Sequence, residues 1–132
     1  MVRLLLDTTF LIDAERESAV LDDAIGDDDD AAIAAITVAE LQVGVAIATG
    51  RRRSARQRFL ELVVEALPVI PYDLAVAEAH ASLLAHVRQQ GTPRGAHDLI
   101  IAATALAAGR RLVTADRTAF ESLPGLDYRL HR

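Results

Sequence analysis

The sequence predicts an α/β fold, a small three-layer sandwich in which helices cover both faces of a parallel sheet. Three observations carry this. Short apolar runs alternate with longer segments of helical periodicity along the whole chain. The short runs are continuously apolar, the pattern of strands buried on both faces. Pro, Gly and clustered Asp fall between the segments, where turns belong. With 132 residues the chain has room for one domain, taken as residues 1–132.

Val2–Leu6 reads as the first strand. Asp7-Thr8-Thr9 offers polar caps to a helical turn over Phe10–Ala14, and a second helical piece lies near Ser18–Ile25. Gly26 and Asp27–Asp30 form a loop whose consecutive acids read as a solvated surface. Ala32–Ile36 is the second strand. Thr37 then opens a helix through Ala48, with Gly50 behind it. Arg51–Glu65 is a further helix with its apolar stripe at Ala55, Phe59, Leu62, Val63 and Ala66. Pro68-Val69-Ile70-Pro71 is a short third strand. Asp73 caps a helix from Leu74 to about Gln90, whose stripe places His80 among apolar residues as a core histidine. Gly91–His97 is a loop, and Asp98–Ala108 a helix ended by Gly109. Arg111–Thr114 is the fourth strand and Tyr128–Leu130 a candidate fifth.

Composition removes several function classes. The absence of Cys excludes disulfides, thiolate metal sites and Cys nucleophiles. All 14 basic residues are Arg, so the phosphate-loop lysine, Schiff-base chemistry and the kinase lysine are excluded together. A net charge of −5 argues against coating nucleic acid by bulk attraction, while leaving room for local basic patches. The first apolar stretch stops at Asp7, too early for a signal-peptide core. The longest uncharged run, Leu99–Gly109, is too short to span a bilayer. The expected location is the cytoplasm, away from membranes.

Four acids stand at the boundaries of these elements. Asp7 follows the first strand, and an ordinary helix N-cap would explain it. Glu40 lies three residues after Thr37, the spacing of a capping box. Asp98 heads a helix with no other charge, where it would meet the helix dipole. Burial there requires a partner for its charge, either His97 or a metal. Asp116 follows the fourth strand, where a turn would use it. Each structural role is adequate alone. In right-handed βαβ units, however, Asp7, Glu40 and Asp116 fall on the same sheet edge. Asp98 joins them if Gly91–His97 climbs back along the preceding helix. Seven extended residues reach roughly 23–25 Å, and a helix of that size is about 25 Å long. Such a pocket cannot keep four negative charges without a counter-charge. Oxygen-only ligands select hard cations, Mg²⁺ or Mn²⁺, as one ion or two. The matching chemistry is phosphodiester hydrolysis.

The blocks Leu4–Ile12, Thr37–Gly44, His97–Leu106 and Leu112–Asp116, with Phe120 and Pro124-Gly125-Leu126 behind, resemble those of PIN-domain nucleases, in the same order. At this size they resemble most the VapC-type toxins of bacterial toxin–antitoxin pairs. The resemblance implies a five-stranded parallel sheet and Mg²⁺- or Mn²⁺-dependent RNA cleavage by Asp7, Glu40, Asp98 and Asp116. It also implies that Thr8 and Thr114 steady those acids. It implies a homodimer silenced in the cytoplasm by a cognate VapB-type antitoxin. Ala119 stands where many members carry a further acid or His, which leaves a second cation with fewer ligands. Thr9 replaces a commoner Ser or Asn.

Arg51, Arg52, Arg53, Arg56 and Arg58 crowd one helix start. A solvated face explains them simply. A contact with RNA or antitoxin through Arg51, Arg52, Arg53 and Arg56 is the functional alternative, favoured by the way cations oppose the dipole at that end. Two other function classes compete with the nuclease. A phosphatase or receiver-type phosphotransfer domain also carries acids at strand ends, but normally needs a lysine. A catalytically idle PIN fold acting as a binding module would normally have lost an acid, and all four are present.

Overall fold

The computed structural model describes residues 1–131 and contains a five-stranded, all-parallel sheet. In chain order the elements are β1 (Arg3–Leu6), α1 (Thr8–Arg16), α2 (Ala19–Ala24), β2 (Asp30–Ala34), α3 (Ala35–Ile47) and α4 (Gly50–Ala66). β3 (Val69–Ile70), α5 (Leu74–Gln90), α6 (Ala96–Ala108), β4 (Arg111–Thr114) and β5 (Tyr128–Leu130) follow. The strand order is β3-β2-β1-β4-β5. The α/β class, the layers and the fifth strand are as the sequence predicts.

β1 is central, with Leu5 in register with Ala32 on one side and Leu112 on the other. Successive side chains of a strand point to opposite faces. Leu4 and Leu6 therefore pack with Phe10, Leu41, Val45 and Leu60, from α1, α3 and α4. Leu5 packs on the other face with Leu83, Leu99, Ala102 and Phe120, chiefly from α5 and α6. Both faces are covered, which is why β1 and β4 can be apolar without alternation. Among the described residues no helix is long and apolar enough to cross a membrane.

Several boundaries differ from the sequence reading, each for a physical reason. β2 starts at Asp30, whose backbone N–H donates to the Val2 carbonyl at 2.8 Å, and it ends at Ala34. α3 therefore begins at Ala35, two residues before Thr37. The acids before β2 are not simply solvated. Asp29 accepts backbone N–H groups from Gly26 (2.9 Å) and Val2 (3.2 Å), and Asp30 pairs with Arg110. On α4 the buried residues are Leu60 and Val63, whereas Ala55, Leu62 and Ala66 stay exposed, so the inward face is rotated from the expected stripe. His80 is half-buried instead of core, and its Nδ1 lies 2.8 Å from the Tyr72 hydroxyl.

The connection before α6 is the most consequential difference. α6 starts at Ala96, so the loop has five residues, Gly91–Gly95. Five extended residues reach at most about 18 Å, less than the length of α5, about 25 Å. No climb back along α5 takes place. Val87 and Arg88 at the end of α5 share a small cavity with Pro93 and with Leu99 in the first turns of α6. The end of α5 thus delivers the chain directly to the start of α6.

Candidate active site

Asp7 continues the β1 ladder by donating its N–H to the Val113 carbonyl at 3.0 Å. Its Oδ1 accepts the Phe10 N–H (2.9 Å), so the N-cap role is real. The same oxygen accepts the Thr9 hydroxyl at 2.9 Å, and Oδ2 accepts the Thr114 hydroxyl at 2.6 Å. Asp7 is only 2% exposed, yet no cation pairs with it among the described residues. Burial raises its carboxyl above the ordinary range. The bonds from Thr114, Phe10 and Thr9 oppose that rise, and the nearby charge of Asp98 adds to it.

Glu40 is not part of a capping box. The N-cap of α3 is Ala34, which offers no side-chain bond, and Glu40 lies in the second turn. Thr37 is fully buried, its hydroxyl 3.3 Å from that of Thr8. Thr8 in turn donates to Glu40 Oε1 at 2.7 Å. The other carboxylate oxygen lies 3.4 Å from His97 Nδ1. The sequence reading offered His97 to Asp98 as a charge partner. In the structure its ring lies against Glu40, and its charge, when it is protonated, also favours the ionised Asp98.

Asp98 is the third residue of α6, not its head. Its carboxylate folds back over Gly95, where a Cβ would stand 2.7 Å from Oδ2. A side chain at position 95 would make the Asp98 carboxylate move. Desolvation raises the Asp98 carboxyl most, the charges of Asp116 and Glu40 raise it further, and His97 opposes them. Asp116 makes the expected turn, its Oδ1 accepting the Thr118 and Ala119 N–H groups at 3.0 and 3.1 Å. Its own N–H donates to the Thr114 hydroxyl at 3.0 Å. Thr114 therefore touches both Asp7 and Asp116 through one oxygen.

The four acids thus lie at the carboxyl edge of the sheet, within electrostatic reach of one another, where open parallel sheets carry their sites. Among the described residues no three acidic or imidazole groups converge into a closed cation cage. Thr8 donates to Glu40 and Thr114 to Asp7. The sequence reading took Thr9 as a polar cap and left it out of the site; in the structure it bonds Asp7, accepts the Ala115 N–H at 3.1 Å and lies 3.3 Å from the Thr114 hydroxyl. Its only sequence signal is a hydroxyl two residues after the capping acid. Thr37 and Gly95 carry no local signal, because their partners are distant or depend on a side-chain rotamer. Arg51, Arg52 and Arg53 are exposed in the first turn of α4, whereas Arg56 donates to the Gly44 carbonyl at 2.8 Å.

The PIN domain family model matches residues 4–126, which includes all four acids. The chain belongs to the PIN domain family. A VapC ribonuclease of Sinorhizobium fredii is 42% identical to this PIN chain over 101 residues, covering 72% of it and 70% of the relative. Among solved structures, VapBC2 of Rickettsia felis bound to a DNA fragment from its promoter superposes with a TM-score of 0.86 at 25% identity, over 98% of both chains. A member of the VapBC family of toxin–antitoxin systems from Mycobacterium tuberculosis, VapBC-5, gives 0.78 at 30% identity, again over 98% of both. The PIN fold of this chain is thus similar to theirs from end to end.

Proposed function

We propose that this PIN-domain chain is a metal-dependent ribonuclease that hydrolyses RNA phosphodiester bonds and acts as the toxin of a VapBC-type pair. The observation that carries this reading is the carboxyl edge, where Asp98 is pushed up by burial and then by Asp116 and Glu40, and itself adds to the rise at Asp7. Among the described residues none of these acids pairs with an arginine, so they oppose one another unless a cation joins them. The similarity to a VapC ribonuclease and to VapBC toxin–antitoxin structures supports the substrate class and the pairing.

The donor set fits a hard divalent cation, Mg²⁺ or Mn²⁺. It offers carboxylate oxygens only, with no sulfur and with His97 engaged by Glu40. A closed cage is not required, because Mg²⁺ commonly takes one or two carboxylates and completes its shell with waters and substrate phosphate. Asp7, Glu40, Asp98 and Asp116 would hold it. When bound, the cation would polarise the phosphodiester and offset the charge that builds on it.

The chain's own residues do the rest. Thr9, Thr114 and the Phe10 N–H fix both Asp7 oxygens, so this carboxylate does not reorient when substrate arrives. Thr8 holds one Glu40 oxygen and leaves the other facing the cleft beside His97. Asp116 is held through Oδ1 by the turn that follows it. In this reading the chain acts in the cytoplasm as a homodimer and is silenced by a VapB-type antitoxin.

Purified chain freed of antitoxin is expected to cut structured RNA with Mg²⁺ or Mn²⁺ and to stop in EDTA. Undiminished cleavage in EDTA would remove the metal from the mechanism. An Asp7→Asn control separates this from the idle binding module, which would bind RNA without cutting it.

A further inference from the structure

Two adjoining clefts run from the acids along α1 and α4. The inner one, about 180 Å³, is lined by Glu40, Leu41 and Gly44 of α3, by Ile12 and Arg16 of α1, and by Arg56 of α4. The outer one, about 580 Å³, continues past Arg16 and Arg56 to Arg52 and Arg58. Arg16, Arg56, Glu15 and Phe59 line both, so the two form one passage that opens on Glu40.

Among the cations in this passage Arg56 bonds a backbone carbonyl, and the other three are not used to balance the fold. Arg16, Arg52 and Arg58 are exposed and make no ion pair with another described residue. Arg52 lies in the first turn of α4, which holds no acid and where a cation opposes the helix dipole. Glu15 is the one acid besides Glu40 that lines the passage, against four arginines. Arg56 is aimed by its bond to the Gly44 carbonyl at 2.8 Å, and Gly44 lies one helical turn beyond Glu40, a rise of about 6 Å. Phe59 and Leu62 supply an apolar floor in the outer part.

We propose that this passage is the track for the RNA backbone on one side of the scissile phosphate, with Arg16, Arg52, Arg56 and Arg58 as phosphate-positioning residues. The proposal rests on the ribonuclease reading of the acid edge. It separates the arginines at the start of α4: Arg52 and Arg56 line the passage, whereas Arg51 and Arg53 do not. Phosphate contacts of this kind set register and affinity and carry no sequence information.

The test compares Arg16→Gln, Arg52→Gln and Arg58→Gln with Arg52→Lys and with Arg3→Gln, which removes an exposed charge at the opposite sheet edge. Arg56→Gln is kept as a second series, because it also loses the α3–α4 bond. Cleavage of a structured RNA is followed in parallel with binding of the same RNA in EDTA across a salt series. Each passage variant is expected to raise KM about five- to tenfold with kcat little changed, and to reduce the slope of log affinity against log salt by about 0.7. Arg52→Lys should restore most of the affinity, and Arg3→Gln should match wild type. Passage variants that behave like Arg3→Gln in a chain that does cleave RNA would overturn the track alone. A wild-type chain that binds the RNA with the expected dependence on these arginines and never cuts it would overturn the ribonuclease reading and keep the track. Variants that cut RNA normally but escape inhibition by co-expressed antitoxin would give the passage to the protein partner and overturn the proposal.

Discussion

The two edges of the sheet use the same residue type in opposite ways. At the amino edge, Asp30 is paired with Arg110 (3.1 Å) and Asp127 with Arg111 (2.9 Å). There Asp29 is held below the ordinary carboxyl range by the Gly26 and Val2 N–H groups. At the carboxyl edge, Asp7 and Asp98 are pushed above that range by burial, and their neighbours are hydroxyls and other acids. One edge spends arginine on closing the fold. The other keeps it away from Asp7 and Asp98, leaving their charge to be met by something outside the chain. The difference teaches that a cluster of acids is informative by its missing partners more than by its number.

Breaking the carboxyl edge should give the largest effect. Asp7→Asn keeps an oxygen for the Phe10 N–H and removes the charge, so cleavage is expected to fall at least about a hundredfold while the protein stays folded. Single-turnover rates and thermal melts on the same preparation check this. A residual rate near wild type would take Asp7 out of the chemistry.

Breaking the amino edge should do the reverse. The Arg110 side chain is 9% exposed, and its Nη1 donates to the carbonyls of Leu4 (3.2 Å) and Asp30 (2.8 Å) as well as to the Asp30 carboxylate. Arg110→Met leaves those acceptors unmet. A loss of about 1–3 kcal/mol is expected, with solvent softening it on the Asp30 side. Cleavage well below the new melting temperature should stay normal. Denaturant melts with parallel assays read both.

A smaller effect tests the hydroxyls. Thr8→Val removes the 2.7 Å bond to Glu40 while keeping the shape. Cleavage should drop about tenfold, chiefly in kcat, because Glu40 loses its fixed orientation. An unchanged kcat would make Thr8 a packing residue.

The subtlest test is electrostatic. The folded carboxyl of Asp98 lies above its unfolded value, so its ionised form opposes folding. That penalty is absent below the unfolded value, grows between the unfolded and folded values and is complete above the folded one. Asp98→Asn should therefore melt slightly higher than wild type in EDTA at neutral pH and lose that advantage in acid. Mg²⁺ should raise the wild-type melting temperature more than the variant's. A variant that melts lower in EDTA would make Asp98 a dipole partner of α6 and nothing more.

What the sequence disclosed follows from what is local. Leu4-Leu5-Leu6 and Leu112-Val113 are strands by composition alone, and the acids that follow them are placed by the topology that parallel strands require. Thr37 misled because its spacing to Glu40 matches a capping box, while its hydroxyl lies beside Thr8, which is 29 residues away in the chain. The Arg110–Asp30 pair spans 80 residues, so no window of sequence could pair them. The route to Asp98 was misjudged because a helix that follows a strand was assumed to run the length of the sheet and need a return. The five-residue loop shows that α5 itself brings the chain to the carboxyl edge.

Asp7 starts α1 and also stands at the centre of the acid edge. That double duty shapes the routes by which such a chain can be silenced by mutation. Replacement by Ala removes the helix start together with the charge, and yields a weakened fold open to proteolysis. Replacement by Asn keeps a side-chain oxygen for the Phe10 N–H and gives up the charge and the acceptor for the Thr114 hydroxyl. One position can therefore be lost in two ways, through Ala with the helix start, or through Asn with the charge while the chain stays folded.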